Sequence, residues 1–204
     1  GQATQLHLEY RLRHREGHYL WVQDVGRVTA PGDGIDQPCR MTGTFHEITR
    51  VKTIEDELRV MATQDSLTGL PNRRECARLL DATLVGSPGG ASEVAVLFFD
   101  LDRFKLLNDS MGQAFGDRVL TQVAEGVQAR LPLNATLCRL GGDEFVIILR
   151  DTHEADALRV GQLVLDAVRA MDQVGGAEVR ISASVGVALH PRHSSDRKTL
   201  LQFA

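Results

Sequence analysis

Polar and apolar residues alternate along the first 45 positions in a pattern typical of β-strands. The alternation covers Gln5–Arg13 and His18–Arg27, divided by Glu16-Gly17, and predicts two strands joined by a turn. A loop rich in Pro and Gly is predicted at 30–38, and a third strand at Arg40–Phe45. Because a three-stranded sheet needs a second layer to cover its apolar face, we expect the end of a domain that begins upstream.

The hydrophobic period changes after residue 49. Four apolar residues then recur at spacings of three, four and three: Val51, Ile54, Leu58 and Met61. This spacing is typical of the seam of a short two-stranded coiled coil, which is unstable alone and predicts pairing with a second copy. The alternative is a helix that packs this stripe on its own domain. In either case 50–64 is predicted to be a linker helix.

Helix and strand patterns alternate through the rest of the chain. Helices are predicted at Arg73–Leu84, Phe104–Asn108, Gly116–Leu131 and Glu154–Met171. Strands are predicted at Glu93–Phe99, Thr136–Leu140, Glu144–Leu149 and Glu178–Leu189. This order predicts an α/β domain of palm-like α+β form, with flanking helices on a mixed central sheet that has both parallel and antiparallel pairs. A partial antiparallel sheet and the linker helix precede it.

Composition narrows the class of protein. The 204 residues carry a net charge of -4, so no overall basic field exists to hold a nucleic acid. Three cysteines without a CxxC spacing predict a reducing, cytoplasmic compartment. The longest apolar runs are too short to cross a bilayer. We expect no direct membrane contact in this segment, although sequence upstream of it could anchor the protein.

Acidic residues stand at two corners of the predicted sheet. Asp100 and Asp102 follow the end of an apolar strand, while Asp143 and Glu144 follow Gly141-Gly142 on a hairpin turn. If the two strands are neighbours, Asp100 and Asp143 converge on one point, where hard oxygen ligands suit Mg²⁺. The alternative is that Asp143 and Glu144 are turn residues and Asp100 is a helix cap.

Several segments, in this order, closely resemble the GGDEF family of diguanylate cyclases: Asp65–Arg74, Phe99–Lys105, Asn108-Asp109, Gly116-Asp117, Arg139–Phe145 and Ser184–Ala188. The front of the chain resembles the last three strands of a PAS sensor domain. The resemblance implies three parts: the C-terminal part of a PAS domain at 1–49, a signalling linker helix at 50–64, and a GGDEF domain at 65–204 that lacks its C-terminal end.

The resemblance also implies an activity, the condensation of two GTP molecules into cyclic di-GMP, a bacterial second messenger, with release of two pyrophosphates. Mg²⁺ or Mn²⁺ would be bound by the Asp100 carboxylate, the Leu101 carbonyl and the Asp143 side chain, with Glu144 supporting the site. Asp143 would also accept the proton of the ribose 3′-hydroxyl. Lys105 would meet charge on the phosphates; its alternative is a solvated surface lysine. Catalysis would require a homodimer, since each domain holds one GTP.

The same resemblance implies how the nucleotide is held. Asn108 and Asp117 would contact the guanine edge, and Gly141 and Gly142 would let the triphosphate lie against the turn. Gln113 would contact the nucleotide at a position where the family usually has His. The alternative roles are a helix C-cap for Asn108 and a helix N-cap for Asp117.

Three departures from the family pattern change the expectations. Gln113 keeps a donor and an acceptor but cannot take a charge, so nucleotide contact survives while affinity changes. Pro132–Ala135 replaces the Arg-x-x-Asp of the product-inhibition site, which predicts weak or no feedback inhibition there. The lysine of the family's next helix lies beyond Ala204, so we expect these 204 residues alone to lack part of the site and to be inactive.

Two rival functions stay open. The first is a catalytically silent GTP-binding module that regulates an attached EAL-type phosphodiesterase; Asn108–Gly112 resembles cyclase domains fused to such enzymes, whereas silent modules usually lose the acidic turn. The second is a dimerising scaffold.

Overall fold

A computed structural model describes residues 5–29, 40–85 and 93–204. The loop predicted at 30–38 lies outside the described residues. The chain divides into two compact units, Gly1–Val60 and Met61–Ala204. Among the described helices, none has the length and apolar character needed to span a membrane.

The first unit is built on a three-stranded antiparallel sheet. Strands β1 (Gln5–Arg13), β2 (Tyr19–Thr29) and β3 (Arg40–Glu47) lie in that order, and each pairs with the next along the chain. The three predicted strands are confirmed, and β3 extends two residues further than predicted. Helix α1 (Thr49–Thr63) begins directly after β3 and reaches into the second unit.

No residue of α1 is buried. The four side chains of its apolar stripe are between 44% and 74% exposed: Val51, Ile54, Leu58 and Met61. The alternative that this helix packs the stripe on its own domain is therefore wrong for the described chain. An exposed seam of this spacing agrees with pairing outside the chain.

The second unit contains the remaining elements: α2 (Arg73–Val85), β4 (Glu93–Leu101), α3 (Phe104–Met111), α4 (Gln113–Gln128), β5 (Ala135–Gly141), β6 (Glu144–Thr152), α5 (Glu154–Arg169), β7 (Gln173–Val174), β8 (Ala177–Glu178), β9 (Ala183–His190) and α6 (Arg197–Phe203). The predicted elements are found at these places, with shifts of up to three residues at several ends and with two further differences. Helix α4 begins at Gln113 rather than Gly116, because Gly112 at φ +84° joins it directly to α3.

The second difference is that the strand predicted at Glu178–Leu189 is broken. Only its first residue, Glu178, lies in β8, which pairs with β7 across Gly175-Gly176, where both glycines have positive φ. The backbone of Ser182 then accepts a hydrogen bond from Asp102 at 2.9 Å. Only from Ala183 does the chain pair along β4, as β9.

The central sheet has the order β5-β6-β4-β9, and every neighbouring pair is antiparallel. The prediction of adjacent parallel strands is wrong. Helical crossovers do connect parallel strands, β4 with β5 and β6 with β9, but another strand lies between the members of each pair. The fold class stands: an α/β fold with a central antiparallel sheet and flanking helices.

Alternate residues of β4 face two separate cores. Leu97 and Phe99 belong to the larger core, which α4 and α5 cover. Val96 belongs to the smaller core on the other face, with Cys76 of α2. Strand β4 is thus buried on both faces, and its carboxyl end opens at the edge where the acidic residues stand.

Candidate active site

The two acidic corners lie on neighbouring strands, which is the condition under which the sequence predicts that they converge. Strands β4 and β6 pair in a register that places Phe99 opposite Phe145, and their rings stack with centroids 5.0 Å apart. One step further, Asp100 comes level with the first residue of β6. Asp143 precedes that residue, in a two-residue turn whose first position, Gly142, has φ +55°. A positive φ there is what a type II′ hairpin requires.

These corners open onto one cleft of about 980 Å³, enough for a nucleotide. Its lining includes four of the predicted site residues: Asp100, Leu101, Lys105 and Asp143. Arg180, which precedes β9 and was not singled out from the sequence, also lines the cleft. Oxygen ligands and basic side chains thus face the same space, the combination that a metal-bound polyphosphate needs.

Negative charge is concentrated in this cleft. The pKa of Asp100 is raised above its ordinary value, first because the carboxyl is partly buried and next because the carboxylates of Asp143, Asp102 and Glu144 lie near it. No ion pair joins Asp100 or Asp143 to a cationic side chain among the described residues. A hard divalent cation would relieve this repulsion, so the residues present fit the Mg²⁺ that the family implies.

Asp102, by contrast, is occupied in holding the turn after β4. Its carboxylate accepts hydrogen bonds from the hydroxyls of Ser182 and Ser184, the latter at 2.8 Å, and these bonds lower its pKa. The next residue, Arg103, adopts the left-handed conformation at φ +59°, which a non-glycine residue rarely does. Helix α3 begins at the next residue, Phe104, in the wall of the cleft.

Helix α3 presents its first turn to the cleft. Its N-cap residue Arg103 makes no side-chain capping bond, and Phe104 and Lys105 line the cleft beside it. Uncapped amides at a helix N-terminus attract anions. Lys105 is exposed at this position. The first turn of α3 is thus chemically suited to phosphate groups.

Glu144 lies at the same corner but is paired with a cation. Arg73 of α2 donates to the Glu144 carboxylate at 3.0 Å and to the carbonyl of Leu140 at 3.1 Å. In the described part of the chain, the cleft's acidic residues do not form a group of three whose carboxylate oxygens all lie within 4.8 Å of one another. The structure thus brings Asp100 and Asp143 to one cleft and holds Glu144 toward Arg73.

The remaining predicted residues cluster where α3 meets α4. Asn108 is in the middle of α3, and its buried Oδ1 has no hydrogen-bond partner among the described residues. A Cβ on Gly116 would lie only 1.8 Å from that atom. The side chain of Gln113 donates to Asp117 Oδ1 at 3.0 Å. The capping alternatives are wrong, because Gly112 is the C-cap of α3 and Asp117 lies within α4.

The hairpin itself is fastened by residues whose role the sequence left unassigned. Arg139 is 8% exposed, donates to Asp65 at 2.7 Å and donates twice to the carbonyl of Gly142, at 3.0 and 2.7 Å. Thr68 donates to the same Asp65 oxygen through its amide and its hydroxyl. The sequence did contain a signal for this network. Asp65 and Thr68 belong to one segment that resembles the GGDEF family, and Arg139 and Gly142 belong to another.

Residues 62–204 match the family described as diguanylate cyclase, GGDEF domain. The chain belongs to the GGDEF family. It is 37% identical over 156 residues to the diguanylate cyclase TpbB of Pseudomonas aeruginosa, a match that covers 74% of this chain and 36% of TpbB. It is 35% identical over 158 residues to the cyclic di-GMP phosphodiesterase PdeR of Escherichia coli K12, covering 78% of this chain and 24% of PdeR.

The fold agrees with a solved GGDEF domain. The solved structure of an N-terminally shortened mutant of TpbB from Pseudomonas aeruginosa, which comprises only the GGDEF domain, is similar with a TM-score of 0.65 and 38% identity, covering 68% of this chain and 82% of that one. The chain spans about a quarter to a third of the length of the two curated relatives. Relatives of this GGDEF chain therefore include both a cyclase and a phosphodiesterase.

Proposed function

We propose that this chain is the sensor-linked GGDEF part of a diguanylate cyclase, which joins two GTP molecules into cyclic di-GMP and releases two pyrophosphates. The observation that carries the proposal is that Asp100 and Asp143 line one cleft, form no ion pair with a cationic side chain among the described residues, and share that cleft with Lys105. The relationship to TpbB supports it. Silent modules usually lose the acidic turn, whereas both of its carboxylates are present here.

In the proposed reaction, Asp100, the Leu101 carbonyl and Asp143 would hold Mg²⁺ or Mn²⁺, with Glu144 in support. The cation supplies charge neutralisation for the triphosphate and a more acidic 3′-hydroxyl when bound. Asp143 accepts the hydroxyl proton as the 3′-oxygen attacks the α-phosphorus of the other GTP. Lys105 and the uncapped amides of α3 would hold phosphate oxygens, and Gly141 and Gly142 have no side chains to obstruct them.

The base would be held at the joint of α3 and α4. The Asn108 side-chain amide would contact one atom of the guanine edge, and the Asp117 carboxylate would accept from the guanine N1–H and amino group. Gln113 keeps Asp117 in place by its hydrogen bond rather than by charge. Adenine lacks the N1–H donor, so this arrangement favours GTP.

Two domains must face each other, because each holds one GTP and each 3′-hydroxyl attacks the other's substrate. We propose that the exposed stripe of α1 pairs with the same stripe of a second copy and sets this geometry. Residues 1–49 would be the end of a PAS domain that reports a signal through the 50–64 helix to the GGDEF domain at 65–204. The protein would act in the cytoplasm, without nucleic acid.

A second function is favoured by one comparison. The relative PdeR is a cyclic di-GMP phosphodiesterase, and the match to this chain covers only 24% of the length of PdeR. The chain would then be a GTP-binding regulator of an attached EAL-type domain. The residues of the acidic turn argue for the cyclase, because a regulator that only binds GTP has no need of a proton acceptor.

Incubation of the full-length protein with GTP and Mg²⁺, followed by chromatography of the nucleotides, separates these functions. Cyclic di-GMP that Asp143→Asn abolishes supports the cyclase. Retention of GTP without product supports the regulator, and neither binding nor product supports a scaffold. Gln122→Ala is the matched control, since its side chain bonds a backbone carbonyl outside the cleft.

A further inference from the structure

The hairpin loop between β1 and β2 gathers three side chains that can bind a metal ion. His14, Glu16 and His18 each offer one ligand atom, and these atoms all lie within 4.8 Å of one another. Among the described residues, no other group of three or more His, Cys, Asp or Glu side chains has its ligand atoms this close together. It lies in the first unit, whereas the cleft belongs to the second.

The backbone of the hairpin explains why these three residues meet. The register of β1 with β2 pairs Arg13 with Tyr19, so His14 and His18 are the next opposed residues, and Glu16 is at the tip. Side chains of directly opposed residues in an antiparallel pair project to the same face and lie close together. The amide of His14 donates to the carbonyl of His18 at 2.7 Å, and Gly17 at φ +94° closes the turn with a 2.9 Å bond to His14.

The side chains already approach the geometry of a shared ion. The imidazoles stack with centroids 4.5 Å apart, and His14 Nδ1 lies 3.7 Å from the Glu16 carboxylate. Two ligands on one tetrahedral Zn²⁺ are separated by roughly 3.3 Å, given metal–ligand distances of about 2.0 to 2.1 Å. His14 Nδ1 accepts only a weak 3.3 Å bond from the Glu16 amide, which an ion could replace. The half-buried His14 and the exposed Glu16 and His18 would have to turn, and the stacked rings to tilt apart, so that the three ligand atoms meet on one ion.

We propose that His14, Glu16 and His18 form a Zn²⁺ site, with water completing a tetrahedral shell. Two imidazoles and one carboxylate are a ligand set that zinc and neighbouring transition metals bind. Mg²⁺ prefers an all-oxygen shell, so the hairpin and the cleft select different ions. Bound zinc would join the end of β1 to the start of β2 and stiffen the hairpin of the first unit.

Calorimetric titration of the metal-free 204-residue chain with zinc chloride, in excess Mg²⁺, tests the site. The expected result is one Zn²⁺ bound per chain, with affinity at least about tenfold weaker in His14→Ala and in His18→Ala, because each substitution removes a ligand. His46→Ala is the matched control, since His46 is an exposed histidine on β3 of the same sheet. It should bind zinc like the unaltered chain.

Glu16→Gln keeps the size of the side chain and removes its charge, and it should weaken zinc binding without changing the circular dichroism spectrum. The site is overturned if the unaltered chain binds no zinc, if His14→Ala and His18→Ala bind it with unchanged affinity, or if His46→Ala loses it equally. Co²⁺ bound in a tetrahedral site absorbs visible light. Loss of this absorption when Zn²⁺ displaces Co²⁺ from the hairpin gives an independent readout of the same site.

Discussion

Arg139 connects Asp65 to the acidic turn: its guanidinium donates to the Asp65 carboxylate at 2.7 Å and also to the carbonyl of Gly142. Asp65 comes two residues after the end of α1, and Gly142 immediately precedes Asp143. The side chain of Arg139 therefore connects the segment just after the linker helix to the candidate catalytic turn. Because the pair is largely buried, its loss should affect both stability and activity.

Asp65→Asn should lower the free energy of unfolding by about 3 kcal/mol at neutral pH, because it removes the one carboxylate paired with the buried Arg139 guanidinium among the described residues. Burial acts to raise the pKa of Asp65, but hydrogen bonds from Thr68 and Arg139 outweigh it and hold that pKa below the ordinary value. The carboxylate thus stabilises the fold above its ordinary pKa of about 3.9, and this contribution is lost as the pH falls through the lowered pKa.

Urea unfolding of Asp65→Asn and the unaltered chain, repeated from neutral pH downward, measures this difference. The difference in the free energy of unfolding between the two proteins should become smaller as the pH falls below the ordinary aspartate pKa. Arg159→Ala, which removes an exposed pair on α5, should leave stability unchanged at every pH. A gap that is absent at neutral pH, or that does not narrow in acid, would show that the pair does not stabilise the fold.

Gly116→Ala should weaken GTP binding at least about tenfold, because the new Cβ would meet Asn108 Oδ1 at 1.8 Å and displace the amide that we assign to guanine. Gly126→Ala in the same helix is the matched control, since its Cβ would meet nothing closer than 3.7 Å. The control should bind GTP normally and gain some stability from its better helix propensity. Equal GTP affinity for the two variants would contradict the role of Asn108.

Gln113→Ala should weaken GTP binding several-fold, because it frees the Asp117 carboxylate from its 3.0 Å hydrogen bond. If Gln113 acts through Asp117, the substitution should have no further effect in a chain that already carries Asp117→Ala. Calorimetric measurement of GTP affinity for the two single variants and the double variant completes this double-mutant cycle. Additive losses would show instead that Gln113 contacts the nucleotide itself.

Leu58→Asp should reduce cyclic di-GMP synthesis by the full-length protein while leaving GTP affinity unchanged, because it places a charge in the exposed seam of α1. Thr53→Asp puts the same charge on the opposite side of the helix and serves as control. Sedimentation should show fewer dimers for Leu58→Asp alone. Unchanged turnover would refute the coupling of α1 to activity.

The sequence predicted most elements and the acidic cleft because their signals are local. Apolar runs such as the one that ends at Phe99 and glycines such as Gly142 fix strands and turns by themselves. Pairing between distant strands has no local signal, and for this reason the antiparallel neighbours of β4 were missed. The break before Ala183 depends on the bond from Asp102 to Ser182, which no periodicity reveals.

In the candidate site too, the sequence predicted features with a local signal and missed contacts between distant residues. The sequence pointed to Asp100 and Asp143 through their places at strand ends, and the structure puts both in one cleft. It did not reveal that Glu144 is paired with Arg73, because these residues are 71 positions apart. The His14 and His18 pair was also missed, since its significance depends on the hairpin register rather than on either residue alone.

The proposed function depends on the binding of one divalent ion, together with GTP, by Asp100 and Asp143. Electron paramagnetic resonance of Mn²⁺, with a non-hydrolysable GTP analogue and a chain carrying His14→Ala to remove the hairpin site, measures this directly. Mn²⁺ affinity should fall at least about tenfold in both Asp100→Asn and Asp143→Asn, and not in Asp109→Asn on the exposed side of α3. Unchanged Mn²⁺ affinity in either cleft variant would contradict the shared site.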